Sequence, residues 1–335
     1  MSFLDKVWYQ KLDLKNGLVI VPLLPLSALF YLISTLRRKL YQSKVLKVNK
    51  LKVPSIVVGG ISVGGSGKTP MCIALIDALH KQGYKVGLIS RGYKGVSDSY
   101  PLIVETNTKA SVSGDEPLLI KLALGDKVVV CVDKNKDRGA LFLQEQGVDV
   151  IVSDDGMQHY SLDFDVKIVV LDGKRMLGNG FLMPAGPLRE GKWKLDLVDA
   201  VVVNGETDNH SYYQMSLKAD TVVSLNSFFN GVEPKVLEQK KVIALAGIGN
   251  PQRFYNTLTT CGFKIVDTIA VPDHGVVDKA QLENSSQEYP IVMTAKDAVK
   301  YKDYKLDNLY VLNVKACLKE QFYQKIIDSL SKIKK

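Results

Sequence analysis

An α/β fold, with a mostly parallel sheet covered by helices on both faces, is what three observations in this 335-residue sequence predict. Short β-branched runs recur between stretches of helical periodicity: "VPSIVVGG" (53–60), "KVGLIS" (85–90), "KVVVCV" (127–132), "VDVIVSD" (148–154), "VKIVVLD" (166–172) and "DAVVVN" (199–204). The first run leads into "SVGGSGKTP" (62–70) and then a helix, the order of elements a phosphate-binding loop requires. The composition, 46% hydrophobic and 24% charged, is that of a folded globular chain, and its length exceeds one small core. Three parts are expected: an N-terminal segment (1–45), a nucleotide-binding core (46–225) and a smaller α/β domain (226–335).

The first element is apolar. From Asn16 to Leu36, 21 residues carry no charge, and "RRK" follows at once. That length spans a bilayer, but Pro22 and Pro25 are expected to break the helix near its start, leaving about three good turns from Leu26. Trp8 and Tyr9 suit the boundary between lipid and water. The basic cluster stands after the apolar run rather than before it, which argues against a cleaved signal peptide. A helix buried in a soluble body is the competing reading. Residues 1–52 hold ten Lys and Arg against two Asp, so +8 of the net charge of +9 lies here. Charge gathered beside one apolar segment points to an anionic membrane surface, not to nucleic acid. The expected element is a membrane-associated helix, with the body on the positively flanked, cytoplasmic side. No obligate protein partner is evident. Four scattered cysteines lack CxxC spacing and suggest neither disulfides nor zinc, and Cys72 and Cys131 read as core.

In the loop, Gly64, Gly65 and Gly67 let the backbone curl with its N–H groups inward. Lys68 is placed to neutralise the outer phosphates, and Thr69 to offer a hydroxyl to Mg2+. Ser62 stands where the usual pattern has glycine, which removes no donor. Ser62, Val63, Gly64, Gly65, Ser66, Gly67, Lys68 and Thr69 are thus the expected ATP-binding set of a P-loop NTPase-like core. In such sheets ligands sit beyond the carboxyl ends of the strands, where three acidic sites fall. "SDD" (153–155) ends an apolar strand, and a carboxylate there reaches a metal held at Thr69. In "SGDEPLLIKLAL", Asp115 reads as a helix cap with Pro117 in the first turn, a geometry that does not exclude chemistry. Asp172 ends a strand expected further out and reads as structural.

The smaller unit is expected near residue 240. "KKVIALAGIGNPQRFYNTLTTCG" reads as strand, glycine turn and a helix capped by Asn250 and opened by Pro251, and "FKIVDTI" and "YPIVMT" supply further strands. "GIG" lacks the acidic partner of a dinucleotide site. Turn-rich sequence at 204–240 is expected to link the two units.

"VGGISVGGSGKTP", "SRGYKG", "SGDEP", "DDGMQH", "GNGFLMPAGPLRE", "AGIGNPQRF", "PDHG" and "TAKDAVK" occur in that order. Together, from about residue 8 to residue 301, they resemble the tetraacyldisaccharide 4'-kinase family, the lipid A 4'-kinases. The resemblance implies a P-loop core with an appended smaller α/β domain and an N-terminal membrane-associated helix. It implies transfer of the γ-phosphate of ATP to the 4'-hydroxyl of a tetraacylated glucosamine disaccharide 1-phosphate at the cytoplasmic face of the inner membrane. The family also carries serine or threonine at the place of Ser62. Three departures are Gly60 for asparagine, Ala295 for glutamate and Met157 for an aromatic residue.

By the same resemblance, Asp115 is the proton acceptor, assisted by His274, and Lys68 completes the catalytic set. Thr69, Glu116 and Asp155 are candidate Mg2+ ligands, with the carboxylate in direct contact left open. Tyr93, Asp154, Gln158, His159, Arg189 and Glu190 fall on the substrate side, where the planar fork of Arg189 suits a sugar phosphate. The rival function is a membrane-recruited regulatory ATPase of the partitioning type. Those proteins place a second lysine before the double glycine, where this chain has Val63.

Overall fold

A computed structural model of the chain describes residues 7–9, 14–230, 233, 235–272, 275–304 and 306–333. The expected strands of the core form as β1 (Ser55–Gly59), β2 (Val86–Ser90), β4 (Val128–Val132), β5 (Val150–Asp154), β6 (Val166–Asp172) and β7 (Ala200–Asn204), with the short β3 (Leu102–Ile103) at one edge. Beyond them lie β8 (Tyr213–Ser224), β9 (Lys241–Ala246), β10 (Lys264–Ala270), β11 (Ile291–Thr294) and β12 (Leu309–Leu318). All twelve belong to one sheet, in the order β10-β9-β11-β12-β8-β7-β6-β1-β5-β2-β4-β3.

Two parallel blocks meet at the antiparallel pairing of β8 with β12. The segment expected to be a turn-rich linker therefore contains a strand. Its sequence, "YQMSLKADTVVS", alternates apolar and polar residues from Tyr213 to Ala219, the period-two pattern of a half-exposed strand. A second correction concerns β6, which pairs directly with β1 and so places Asp172 at the centre of the sheet rather than further out.

Helices cover both faces. On one, α2 (Lys68–Lys81) and α4 (Asp115–Leu124) bury Cys72, Leu75 and Leu118 against Ile56 and Val58 of β1. On the other, α5 (Lys136–Glu145) buries Ala140 and Leu143 against a set that includes Val57 and Cys131. Neighbouring residues of one strand thus feed opposite layers, as the period of two demands. A third layer packs α7 (Pro251–Thr260), through Phe254 and Leu258, on Val242 and Ala244 of β9.

The N-terminal helix α1 runs unbroken from Leu14 to Gln42 with Pro22 and Pro25 inside it. The expected break does not occur. A proline's fixed φ is a helical φ, but each removes one N–H donor and crowds the carbonyl four residues earlier; the 29-residue helix continues through both. One face of α1 is fastened to the body: Ile20 is buried beside Ala185, and Ser27 Oγ donates to Leu182 O (2.9 Å) and accepts from Ala185 N (3.0 Å). The other face leaves Leu18, Val21, Leu26, Leu29, Leu32, Ile33 and Leu36 exposed, which a buried core helix would not. Trp8 and Tyr9, both half-buried, also hold to the body. Trp8 Nε1 donates to Pro184 O (3.0 Å) and Tyr9 Oη to Val63 O (3.0 Å).

Candidate active site

The phosphate loop follows β1 and ends where α2 begins. Gly67 is the N-cap of α2 with φ 96° and offers no side-chain cap, so the first-turn N–H groups of the helix remain directed at the loop's interior. Ser62 pairs in an antiparallel bridge with Leu188, and Val63 N donates to Pro187 O (2.9 Å). The loop's first position is therefore extended backbone, where a serine does as well as a glycine. Ser66 Oγ is buried with no hydrogen-bond partner among the described residues.

Because β5 neighbours β1, the "SDD" acids arrive beside the loop. Asp155, at φ 46°, holds its carboxylate 3.7 Å from Lys68 Nζ and accepts both prongs of the Arg189 guanidinium (3.0 and 3.2 Å). Burial acts to raise its pKa, but Lys68 and Arg189 outweigh it and hold the carboxyl well below the usual range. Asp154 behaves oppositely. It is buried, takes a long contact from Cys72 Sγ (3.8 Å), and burial together with the Glu116 charge raises its pKa. Lys136, which the sequence reading passed over, lies almost wholly buried below it, donating to Ser153 Oγ (3.2 Å) and to the Asp154 carbonyl. Burial lowers the Lys136 pKa to about 8, with the Asp154 charge opposing.

At the "GDE" turn, Gly114 takes the cap position with φ 87° and Asp115 is the first helical residue, so Asp115 is not the side-chain cap expected. A Cβ on Gly114 would lie 2.9 Å from Tyr93 O, which packs this turn against "RGY". Asp115 is buried and Glu116 faces the cavity, where Lys296 Nζ meets its Oε1 at 2.9 Å. Lys296, next to Ala295, thus brings a charge of this motif into the cavity.

On the far side, Glu190 is buried in a cluster: Gln158 Nε2 donates to its Oε2 (2.8 Å), Tyr160 Oη to its Oε1, and Lys194 Nζ lies 3.3 Å away. Arg38 of α1 stacks 3.8 Å above the Trp193 ring beside this cluster. His159 Nε2 lies 3.1 Å from Ser161 Oγ and 3.3 Å from Asp137 Oδ2. Tyr93 is 67% exposed at the rim. Tyr93, Gln158, His159, Tyr160 and Glu190 border one cavity of about 1000 Å³. Its walls are the phosphate loop, Phe30, Ile33 and Arg37 of α1, and residues of the second half of the sheet including Asn250, Arg253 and Leu312. Lys68, Thr69, Glu116, Asp154, Asp155, Gln158, His159, Arg189, Glu190 and Tyr93 all reach it; Asp115 is buried immediately beside the lining residues Glu116 and Pro117, and His274 falls outside the described residues.

The family described as "Tetraacyldisaccharide-1-P 4'-kinase" matches residues 19–331. The chain belongs to that family. A tetraacyldisaccharide 4'-kinase of Shewanella frigidimarina is 41% identical over 99% of this chain and 96% of its own length. One of Tolumonas auensis is 41% identical over 99% and 98%. A crystal structure of LpxK from Aquifex aeolicus in complex with ATP superposes with a TM-score of 0.76 at 31% identity, covering 93% of this chain and 99% of that one. The partitioning ATPase is not favoured beside a kinase match of this extent.

The site suits what such a kinase must hold. Ser66 Oγ, buried and without a hydrogen-bond partner among the described residues, is a hydroxyl donor in the loop for which an incoming phosphate oxygen is a fitting acceptor. Among the described residues no three His, Cys, Asp or Glu side chains form a ready metal cage. The hard oxygens of Thr69, Glu116 and Asp155 suit Mg2+, which keeps waters and phosphate oxygens in its shell and needs few protein ligands. Residues that the sequence reading missed are Lys296, Lys136, Asn204 and Arg253. All but Lys136 stand in motifs given above, but their partners are far apart in the chain.

Proposed function

We propose that this chain transfers the γ-phosphate of ATP to the 4'-hydroxyl of a tetraacylated glucosamine disaccharide 1-phosphate, a step of lipid A biosynthesis, at the cytoplasmic face of the bacterial inner membrane. One observation carries the reading. The phosphate loop and the apolar helix α1 both line one cavity, so a phosphate donor and an acylated acceptor can meet in a single space. The exposed leucines of α1 and the basic residues after it suit a helix lying in an anionic interface.

The loop amides and Lys68 hold the triphosphate, while Arg189 and Asp155 form the wall opposite the ammonium. Mg2+, held by Thr69 with Asp155 or Glu116, would neutralise charge on the transferring phosphoryl group. The sugar oxygen bonds to the γ-phosphorus as the bond to the ADP oxygen breaks, and the hydroxyl proton passes to Asp115, supported by His274. The described residues that follow His274 are tied to the helix and turn after β11. Val277 N donates to Tyr301 Oη (2.9 Å) and Lys300 Nζ to Gly275 O (3.0 Å). Burial pushes the Tyr301 hydroxyl up to about 12, and the Asp297 and Asp115 charges add to it. Tyr93, Gln158, His159, Arg189 and Glu190 line the acceptor side, with Asp154 beneath them. The division at residues 225 and 226 then gives two lobes, one bearing the loop and the other bearing His274.

The test is incubation of the purified protein with ATP, Mg2+ and the tetraacyl disaccharide phosphate, followed by mass measurement of the lipid. One added phosphoryl group is expected. ATP hydrolysis with an unchanged lipid would refute the reading.

A further inference from the structure

A chain of polar contacts begins in the second half of the sheet and ends on the phosphate loop. Arg253, on α7, donates from Nη1 to Asp172 Oδ2 (3.3 Å) and from Nη2 to Asn204 Oδ1 (2.5 Å). Asp172 and Asn204 end the adjacent strands β6 and β7, and both are buried. Asn204 then turns its Nδ2 onto Ser66 O at 3.0 Å, inside the loop. Gly67 lies so close to that amide that any Cβ there would overlap it. A second contact runs the other way: Arg175, after β6, donates to Gly249 O (3.3 Å) in the turn that opens α7. A Cβ on Gly249 would stand 3.6 Å from Gly65 N, so that turn abuts the loop's own amides.

We propose that Arg253 is a positioning residue for nucleotide binding, acting through Asn204 to fix the peptide between Ser66 and Gly67. The reason is the planarity of that peptide. Its carbonyl and its N–H point in opposite directions in one rigid plane, so gripping Ser66 O from outside aims the Gly67 N–H into the loop. Asn204 supplies the grip, and Arg253 prevents the Asn204 amide from turning. The planar guanidinium suits this because its two prongs reach Asp172 and Asn204 together. Asp172 offsets the cation's charge, leaving its geometry as its contribution. The second half of the sheet thereby helps to build the triphosphate site from behind, although its residues are some 190 positions from the loop in sequence.

The inference rests on the loop being the ATP site, and the experiment separates the two. ATP affinity, kcat and unliganded melting temperature are measured for the wild type, Arg253→Met, Asn204→Ala, the double variant and Lys68→Ala. Each single variant is expected to weaken ATP binding about tenfold. The double variant should weaken it by about the same tenfold, because both act through one contact. Saturating ATP should restore most of kcat. If Arg253→Met does not fold, Arg253→Lys, which lacks the two-pronged reach, takes its place with the same expectation. Unchanged ATP affinity in the Arg253 variant, or an additive loss of about a hundredfold in the double, overturns the proposal. A purely structural Arg253 would lower the melting temperature and leave the affinity alone, which also overturns it. Should Lys68→Ala bind ATP as tightly as the wild type, the loop assignment itself fails, and the proposal falls with it.

Discussion

Lys296 reaches from the second half of the sheet across the cavity to Glu116, and the two meet at 2.9 Å. Both are partly exposed, so the pair contributes little to stability; its importance is that it occupies a carboxylate suited to Mg2+. An ion arriving at Glu116 competes with an ammonium. Lys296→Met should therefore lower the Mg2+ concentration needed for half-maximal turnover, and Glu116→Gln should raise it, each by several-fold. Titrating Mg2+ at fixed ATP checks the signs. A shift in the same direction for both would show that Glu116 is not a ligand.

Asp115, unlike its neighbour, is buried, and the proposed mechanism makes it the proton acceptor. Asp115→Ala should reduce kcat by roughly 10²–10⁴, the usual loss for a general base, while ATP affinity stays near normal. Single-turnover phosphorylation with separately measured ATP binding distinguishes the cases. If only nucleotide affinity falls, the residue is a ligand rather than the base.

Asp154 makes a pH prediction. Burial, reinforced by the Glu116 charge, raises its pKa from 3.8 to about 7. Between those values the folded state holds a proton that the unfolded state has released, so this residue costs stability as pH rises. Asp154→Asn removes that dependence. Its melting temperature relative to the wild type should climb from about pH 5 to about pH 7.5, measured with a chelator present. A flat or falling difference would contradict the assignment.

The outer face of α1 predicts membrane binding. Leu29→Glu with Leu32→Glu places charge on exposed apolar positions without touching the Ser27 contacts that fasten the helix. Sedimentation with vesicles containing anionic lipid should show at least about a tenfold loss of bound protein, with phosphorylation of a detergent-dispersed substrate largely kept. Undiminished vesicle binding would move the membrane contact elsewhere.

Much of this was legible in the sequence, for local reasons. A glycine loop between a strand and a helix leaves a contiguous signature, and so do six buried strands with matching turns. The missed features depend on distant partners. β8 was hidden by surrounding turn residues, although its alternation from Tyr213 to Ala219 was present. Asp172 reads as peripheral in the sequence because strand order cannot be counted along a chain; its strand lies next to β1. Arg253, Asn204 and Ser66 have no common local pattern, since the link among them exists only once β7 and α7 are placed beside the loop. Pro22 and Pro25 misled in the other direction, because a local rule about helix breaking yielded to a long helix fastened by Ser27.

A crystal structure with a non-hydrolysable ATP analogue and Mg2+ is the most direct test of the central claim, that the 62–69 loop holds the donor triphosphate facing α1. The β- and γ-phosphates are expected on the amides of Gly65 to Thr69, with Lys68 moved from Asp155 onto them. A triphosphate bound in another part of the fold, with Lys68 still beside Asp155, would contradict it.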